Sequence, residues 1–325
     1  MKDYWSGKRV YVTGADGLVG AALVRELLKL ETVSVVAAGR DAKKLWRLFG
    51  RRPNLEFAEF DVLGNLKVDE GLDVIIHAGS NDLAGIVASD PTGALMGEYT
   101  GVQKILGYAI LRRNTRVVYV SSGDVYGAPA AAPENGFCEE DAPGDVDLCD
   151  PMSSCTVGAM TGEMLCTSCV SQYNIDVSIV RTGYVYGPGA SENDKRAPTR
   201  WLRVAAKGKD VICRNSGELV GSYIYSADCA KAIMKVVEDG KIMTAYNVAN
   251  PESCCTEKAF AETVAKVAGV EFVVAPPKED RALEQIPTWK LDASKVLALG
   301  WKPEYDLERG IDATLRAVTS GRIAV

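Results

Sequence analysis

Short runs of aliphatic and β-branched residues alternate with longer stretches of helical spacing through the first half of the chain. KRVYVT (8–13) reads as a buried strand, residues 18–30 place apolar positions at helical intervals, and VSVVAAG (33–39) reads as a second strand. The pattern returns at 73–78, at RVVYVSS (116–122) and at DVSIVRT (176–182). Strands separated by helices have to run parallel, so the spacing predicts an α/β fold with a doubly wound sheet. The chain shows no internal repeat. An Ala/Pro stretch at 128–133 and an acidic stretch at 139–150 predict a surface loop. Beyond 187 the pattern becomes irregular, which predicts a smaller C-terminal substrate lobe from 187–222 and 251–325. Residues 1–186 and 223–250 then form the nucleotide-binding unit.

Composition narrows the class. The 325 residues are 47% hydrophobic and 25% charged, an ordinary globular balance with ample core for one large domain or two lobes. A net charge of −6 argues against nucleic acid, whose binders need a basic face. No apolar run reaches the roughly 18–20 residues that span a bilayer, and MKDYWSGKRV lacks the apolar core of a signal peptide, so no membrane partner and a cytoplasmic location are expected. The nine cysteines are odd in number and scattered, and Cys166 and Cys169 form a lone CxxC beside a single histidine, His77. Structural zinc needs a second pair or histidines, so no metal site is expected and the thiols read as small buried hydrophobes.

The first strand runs into Thr13-Gly14-Ala15-Asp16-Gly17-Leu18-Val19-Gly20 and then a helix. Glycines at this spacing permit a tight turn, close approach of backbone to a pyrophosphate, and tight helix–strand packing, while the helix N-terminus offers N–H donors. A dinucleotide is therefore the expected ligand, with Gly14, Asp16, Gly17, Leu18, Val19 and Gly20 in contact with it. The second strand ends in Gly39-Arg40 where an acidic residue would accept from the ribose hydroxyls. A guanidinium there suits a 2′-phosphate, so Arg40 predicts NADP in preference to NAD. Asp61 and Val62, after the third strand, are expected beside the adenine.

These segments resemble the extended short-chain dehydrogenase/reductases of the NAD-dependent epimerase/dehydratase type, which remodel nucleotide-activated sugars. The resemblance runs through TGADGLVG (13–20), FDV (60–62), IIHAGS (75–80), VYVSSGDVYG (118–127), IVRTGYVYGPG (179–189), SYIYSADCAKAI (222–233), YNVANPES (246–253) and LDASKVLALGWKP (291–303). It implies a Rossmann-type sheet, a small-molecule substrate such as a nucleotide sugar, and a homodimer built on the helices around 101–111 and 156–170. It places His77, Ala78, Gly79, Ser121 and Arg181 beside the cofactor, with His77 structural. Ser122 takes the position of the serine that orients the sugar oxygen. Asp124 falls where related dehydratases and decarboxylases carry a glutamate acid/base.

The chain departs from that family where its chemistry is concentrated. The tyrosine–lysine pair aligns with Cys155 and Ala159, inside Pro151-Met152-Ser153-Ser154-Cys155-Thr156-Val157-Gly158-Ala159. Glu98 replaces an asparagine, and Gly221 and Thr288 stand where many relatives place arginines on the substrate diphosphate. Three readings follow: an enzyme with altered acid/base groups, a binding protein or partner subunit without turnover, and an enzyme whose substrate lacks a nucleotide diphosphate. In the first, Ser122, Asp124 and Cys155 are the catalytic residues, with Asp124 or Tyr126 covering the reach of the missing tyrosine. A modestly acidified Cys155 thiol is expected at its helix N-terminus. The basic residues Lys195, Arg196, Arg200 and Arg203 form either a substrate-anion site or a solvated face.

Overall fold

A computed structural model describes residues 2–61, 71–79, 89–127, 136–142, 144–191, 194–214, 217–276 and 290–320. The chain opens with α1 (Lys2–Trp5), β1 (Arg9–Thr13), α2 (Leu18–Leu27), β2 (Ser34–Gly39), α3 (Ala42–Phe49), β3 (Leu55–Glu59) and β4 (Val74–His77). It continues through α4 (Pro91–Leu111), β5 (Arg116–Ser122), β6 (Phe137–Cys138), α5 (Ser154–Tyr173), β7 (Asp176–Thr182) and β8 (Tyr184–Tyr186). Then come α6 (Ala197–Ala205), β9 (Val211–Cys213), β10 (Val220–Tyr225), α7 (Ser226–Asp239) and β11 (Ala245–Val248). The last segments are β12 (Cys254–Thr256), α8 (Glu257–Ala268), β13 (Phe272–Val274), β14 (Lys290–Leu291), α9 (Ser294–Ala298) and α10 (Leu307–Thr319).

Seven strands form one parallel sheet in the order β11-β7-β5-β4-β1-β2-β3. Period-two alternation along β1 sends Val10 and Val12 to one face and Tyr11 to the other, and both faces are covered. On the first face Leu23 and Leu27 of α2 and Ile233 and Val237 of α7 complete a core. On the second, Ile105 of α4 and Cys166 of α5 pack over Tyr11, Ile75 and Val117. Cys166 therefore behaves as the buried hydrophobe that the scattered cysteines suggested. Arg116, at the start of β5, ties strand to helix: its guanidinium donates to the Asp176 carboxylate, Ser178 Oγ (2.9 Å) and the carbonyls of Val236 (3.0 Å) and Gly240 (2.9 Å).

A third core gathers Tyr186, Trp201, Tyr223, Phe260 and Ile311 around the small sheet β12-β10-β8 and helices α6, α8 and α10. Tyr223 and Phe260 pack with ring centroids 4.6 Å apart, tilted by 38°. The stretch 128–133 lies outside the described residues. The acidic stretch after it is not a uniformly solvated loop, because Glu140 turns inward: its carboxylate accepts from the Asn247 N–H (2.8 Å) and pairs with Lys295 (3.1 Å). Among the described residues no helix is long and apolar enough to cross a membrane.

Candidate active site

β1 and β4 are neighbours in the sheet, yet β2 lies on the far side of β1 and β5 on the far side of β4. Connections leaving the two strands diverge, and a crevice opens at their C-terminal ends. Gly14 follows β1 there with φ +62°, and a Cβ on it would stand 2.6 Å from both the Ala78 carbonyl oxygen and the Gly79 Cα. Only a glycine fits this turn, and its backbone lies directly on the loop after β4. Gly20 of α2 in turn packs on the Gly14 carbonyl. The Gly17 N–H donates to Gly14 O (2.8 Å), and α2 begins at Leu18 with no side chain capping its first turn. Leu18 and Val19 lean on the core, so what they offer a ligand is backbone N–H.

Thr13 and His77 lock the floor of the crevice. Thr13 Oγ1 accepts from the Gly79 N–H (3.1 Å) and lies 2.7 Å from His77 Nδ1. Burial alone holds the His77 imidazole down, at about 4. A neutral ring with Nδ1 accepting from the Thr13 hydroxyl satisfies both contacts, so His77 is a structural link between β1 and β4. Asp16 lays its carboxylate against Gly39 at the end of β2. Arg40 is exposed, as is Asp61, whose carbonyl accepts from Lys104 Nζ (3.2 Å). Val62 lies outside the described residues. Positive-φ Gly14, backbone-on-backbone packing and an uncapped helix start together form a cradle that fits a dinucleotide pyrophosphate.

The end of β5 opens beside this crevice, since β4 and β5 pair with His77 opposite Tyr119. Ser121 there is buried. Ser122 caps a single 3₁₀ turn, Gly123–Tyr126, and pairs reciprocally with Asp124. Its hydroxyl donates to Asp124 Oδ2 (2.9 Å), while the Asp124 N–H donates to Ser122 Oγ (3.1 Å). Part of Asp124 reaches the surface, but its carboxyl is enclosed. Burial raises its affinity for a proton against the opposing pulls of the Ser122 hydrogen bond and Arg196. Cys155 faces the same group: burial first, then Glu98 and Asp124, push its thiol up to about 12.

That last observation corrects the sequence expectation of an acidified thiol. Cys155 does sit in the first turn of α5, but burial and two carboxylates outweigh a helix terminus. Tyr126 does not cover the missing tyrosine either. Its hydroxyl donates to Asn247 Oδ1 (2.7 Å) and accepts from Arg181 Nη1 (2.9 Å), and its ring is buried. Arg181, expected beside the cofactor, is an internal anchor: Nη2 and Nε hold Glu163 (2.7 and 3.0 Å), while Nη1 also donates to the Glu140 carbonyl (2.9 Å). Ala159 lies in an apolar cluster with Val125, Tyr126, Cys138, Ala249 and Leu291.

The basic residues divide. Lys195 is exposed; Arg203 holds the carbonyls of Ser191 (2.9 Å) and Asp194 (3.3 Å); Arg196 is clamped by Asp194 (2.6 Å) and acts on Asp124. Tyr184, which the sequence pattern does not mark, also enters the site. Its phenol is pushed well above the ordinary tyrosine value by burial and then by Asp124. A Cβ on Gly221 would stand 2.9 Å from its Cδ2, so the tyrosine ring packs directly over this glycine. Thr288 lies outside the described residues. Among those described, no group of three His, Cys, Asp or Glu is placed to hold a metal ion.

Similarity to known proteins agrees with this geometry. The chain is 27% identical over 321 residues to UDP-glucuronic acid decarboxylase 6 of Arabidopsis thaliana, covering 95% of this chain and 88% of that protein. Epimerase Mth375 of Methanothermobacter thermautotrophicus superimposes with a TM-score of 0.83 at 20% identity, over 98% of this chain and 94% of the other. UDP-glucuronic acid 4-epimerase of Bacillus cereus, solved as a variant with NAD and a fluorinated UDP-glucuronic acid, superimposes with a TM-score of 0.79 at 20% identity, over 96% and 99%. The profile of the NAD dependent epimerase/dehydratase family matches residues 10–249. With that match over most of its length and a glycine cradle at the reversal point of a seven-stranded parallel sheet, the chain belongs to the NAD dependent epimerase/dehydratase family.

Proposed function

We propose that this protein modifies the sugar of a nucleotide sugar with a bound nicotinamide dinucleotide, and that the Ser122–Asp124 pair replaces the tyrosine–lysine pair as its acid/base. The reciprocal Ser122–Asp124 hydrogen bonds, enclosed beside the dinucleotide crevice, carry the reading. The dinucleotide, when bound, accepts a hydride from the sugar and can return it. Oxidation of a sugar hydroxyl also releases a proton, and Asp124 is the group here whose proton affinity is raised toward the working range of an acid/base. Ser122 orients the carboxylate and a substrate oxygen. Arg196, clamped by Asp194, limits how far Asp124 is pushed toward the neutral form. Gly14, Gly17, Gly20, Ala78 and Gly79 hold the dinucleotide through backbone, and Asp16 and Asp61 border its adenosine end.

A nucleotide sugar is supported by the relatives, whose names include UDP-glucuronic acid decarboxylases. The same reading divides the chain at 186/187, 222/223 and 250/251 into nucleotide and substrate units. It pairs two copies through α4 and α5, where Met96, Leu111 and Met164 are exposed. The NADP preference expected from Arg40 gains no support from the family description or from the NAD-bound neighbour. A second reading, binding without turnover, is favoured by Ala159 in apolar packing and the inert Cys155 thiol. Incubating the purified protein with NAD and, separately, UDP-glucuronic acid, UDP-glucose and UDP-N-acetylglucosamine separates the two. Chromatographic appearance of a new nucleotide sugar, lost in Asp124→Asn, supports the enzyme. Dinucleotide binding with no product from any of the three supports the second reading.

A further inference from the structure

The loop after β1 lays a carboxylate, that of Asp16, on Gly39, the last residue of β2. A Cβ built on Gly39 would stand 2.7 Å from Asp16 Oδ1, 3.0 Å from its Cγ and 3.4 Å from its Cβ. Asp16 therefore fills the space that a side chain at position 39 would occupy. Position 39 is the end of β2, the place from which an acidic residue about 20 residues past the glycines accepts from the adenosine ribose. The glycine at 39 and the aspartate at 16 form one arrangement: any larger residue at 39 would displace the carboxylate. The Ala15 N–H donates to the Ala38 carbonyl (3.0 Å), which fixes the two loops against each other beside this contact. From this juxtaposition we infer that Asp16, delivered from the glycine loop rather than from β2, accepts from the adenosine ribose hydroxyls and selects a dinucleotide with a free 2′-hydroxyl over one bearing a 2′-phosphate.

Charge supports the selection. A 2′-phosphate brings a dianion toward a half-buried carboxylate, and water screens such a repulsion less than it screens exposed charges. Arg40 is the opposing cation, but it is exposed, and an exposed, solvated guanidinium contributes little to discrimination. The next residue, Asp41, is equally exposed and is engaged in capping α3 through the N–H groups of Lys43 (2.9 Å) and Lys44 (3.1 Å), so the selection is assigned to Asp16 alone. The position of Asp16 thus reverses the preference that Arg40 suggests in the sequence.

The inference rests on the dinucleotide reading above, and calorimetry separates the two. Protein stripped of any bound dinucleotide is titrated with NAD and NADP, as wild type, Asp16→Asn and Arg40→Ala. NAD should bind at least about tenfold more tightly to the wild type. Asp16→Asn should weaken NAD and bring the ratio close to one, while Arg40→Ala changes it by less than about threefold. Titration of the wild type with ADP-ribose and 2′-phospho-ADP-ribose reads the same preference without any substitution. Equal or tighter binding of the 2′-phosphorylated ligands, or an unchanged ratio in a folded Asp16→Asn, overturns the role of Asp16. Binding of none of the four ligands overturns the dinucleotide reading itself.

Discussion

Thr13 Oγ1 and His77 Nδ1 lie 2.7 Å apart across the ends of two neighbouring strands, and the same oxygen receives the Gly79 N–H. The only histidine of the chain is therefore part of the crevice floor rather than a base. Its folded value of about 4 lies below the ordinary 6.5. The unfolded chain takes up that proton first, so the stabilisation is complete above about pH 6.5 and is lost as pH falls toward 4. The single imidazole resonance should stay flat in NMR spectra from pH 8 to pH 5.5. Thr13→Val should cost roughly 1–3 kcal/mol in urea unfolding, the cost of leaving a buried acceptor without its donor.

Cys155 should be chemically quiet. With its thiol held up at about 12, brief alkylation at pH 7.5 followed by peptide mapping should label exposed Cys149 well before Cys155. Faster labelling of Cys155, with protection by NAD, would mark it as a reactive thiol of the active site.

The sheet and the glycine cradle were legible in the sequence because both depend on local pattern: apolar period along β1, β2, β4, β5 and β7, and glycines at 14, 17 and 20. What failed were inferences about single polar side chains. Arg181 and Tyr126 sit in segments that match the family, yet they spend their polar atoms on Glu163, Glu140 and Asn247, which come from α5, the acidic loop and β11. Sequence spacing does not report partners 18 to 121 positions away. Cys155 failed for another reason: a helix terminus is visible in sequence, while the burial that opposes it is tertiary. The Asp16–Gly39 contact beside Arg40 joins residues 23 positions apart, which local pattern does not report.

The Arg181–Glu163 pair is largely buried, with both side chains less than about one-sixth exposed. Removing one member leaves the other charge uncompensated. Arg181→Met should therefore destabilise by roughly 3–5 kcal/mol in urea unfolding. NAD affinity of the folded variant should remain within about threefold, because its guanidinium is engaged by Glu163, Tyr126 and Glu140.

Asp124 should weaken the fold as it serves the site. Its folded form holds a proton to higher pH than an unfolded aspartate, so stability falls as pH rises from about 4 through the raised value. Thermal unfolding should show Asp124→Asn gaining on the wild type as pH rises through that window, with the gap closing at acidic pH. A gap that narrows with rising pH would mean that the carboxyl is stabilised as an anion.

In the proposed reaction the proton moves through Asp124 and not through Cys155. Single-turnover absorbance at 340 nm, on mixing NAD-loaded protein with the nucleotide sugar it converts, tests this most directly. Asp124→Asn should lose about 10²–10⁴-fold in the rate of NADH formation, and Cys155→Ala should change it by less than about threefold. A Cys155→Ala variant that stops while Asp124→Asn keeps its rate would contradict this route.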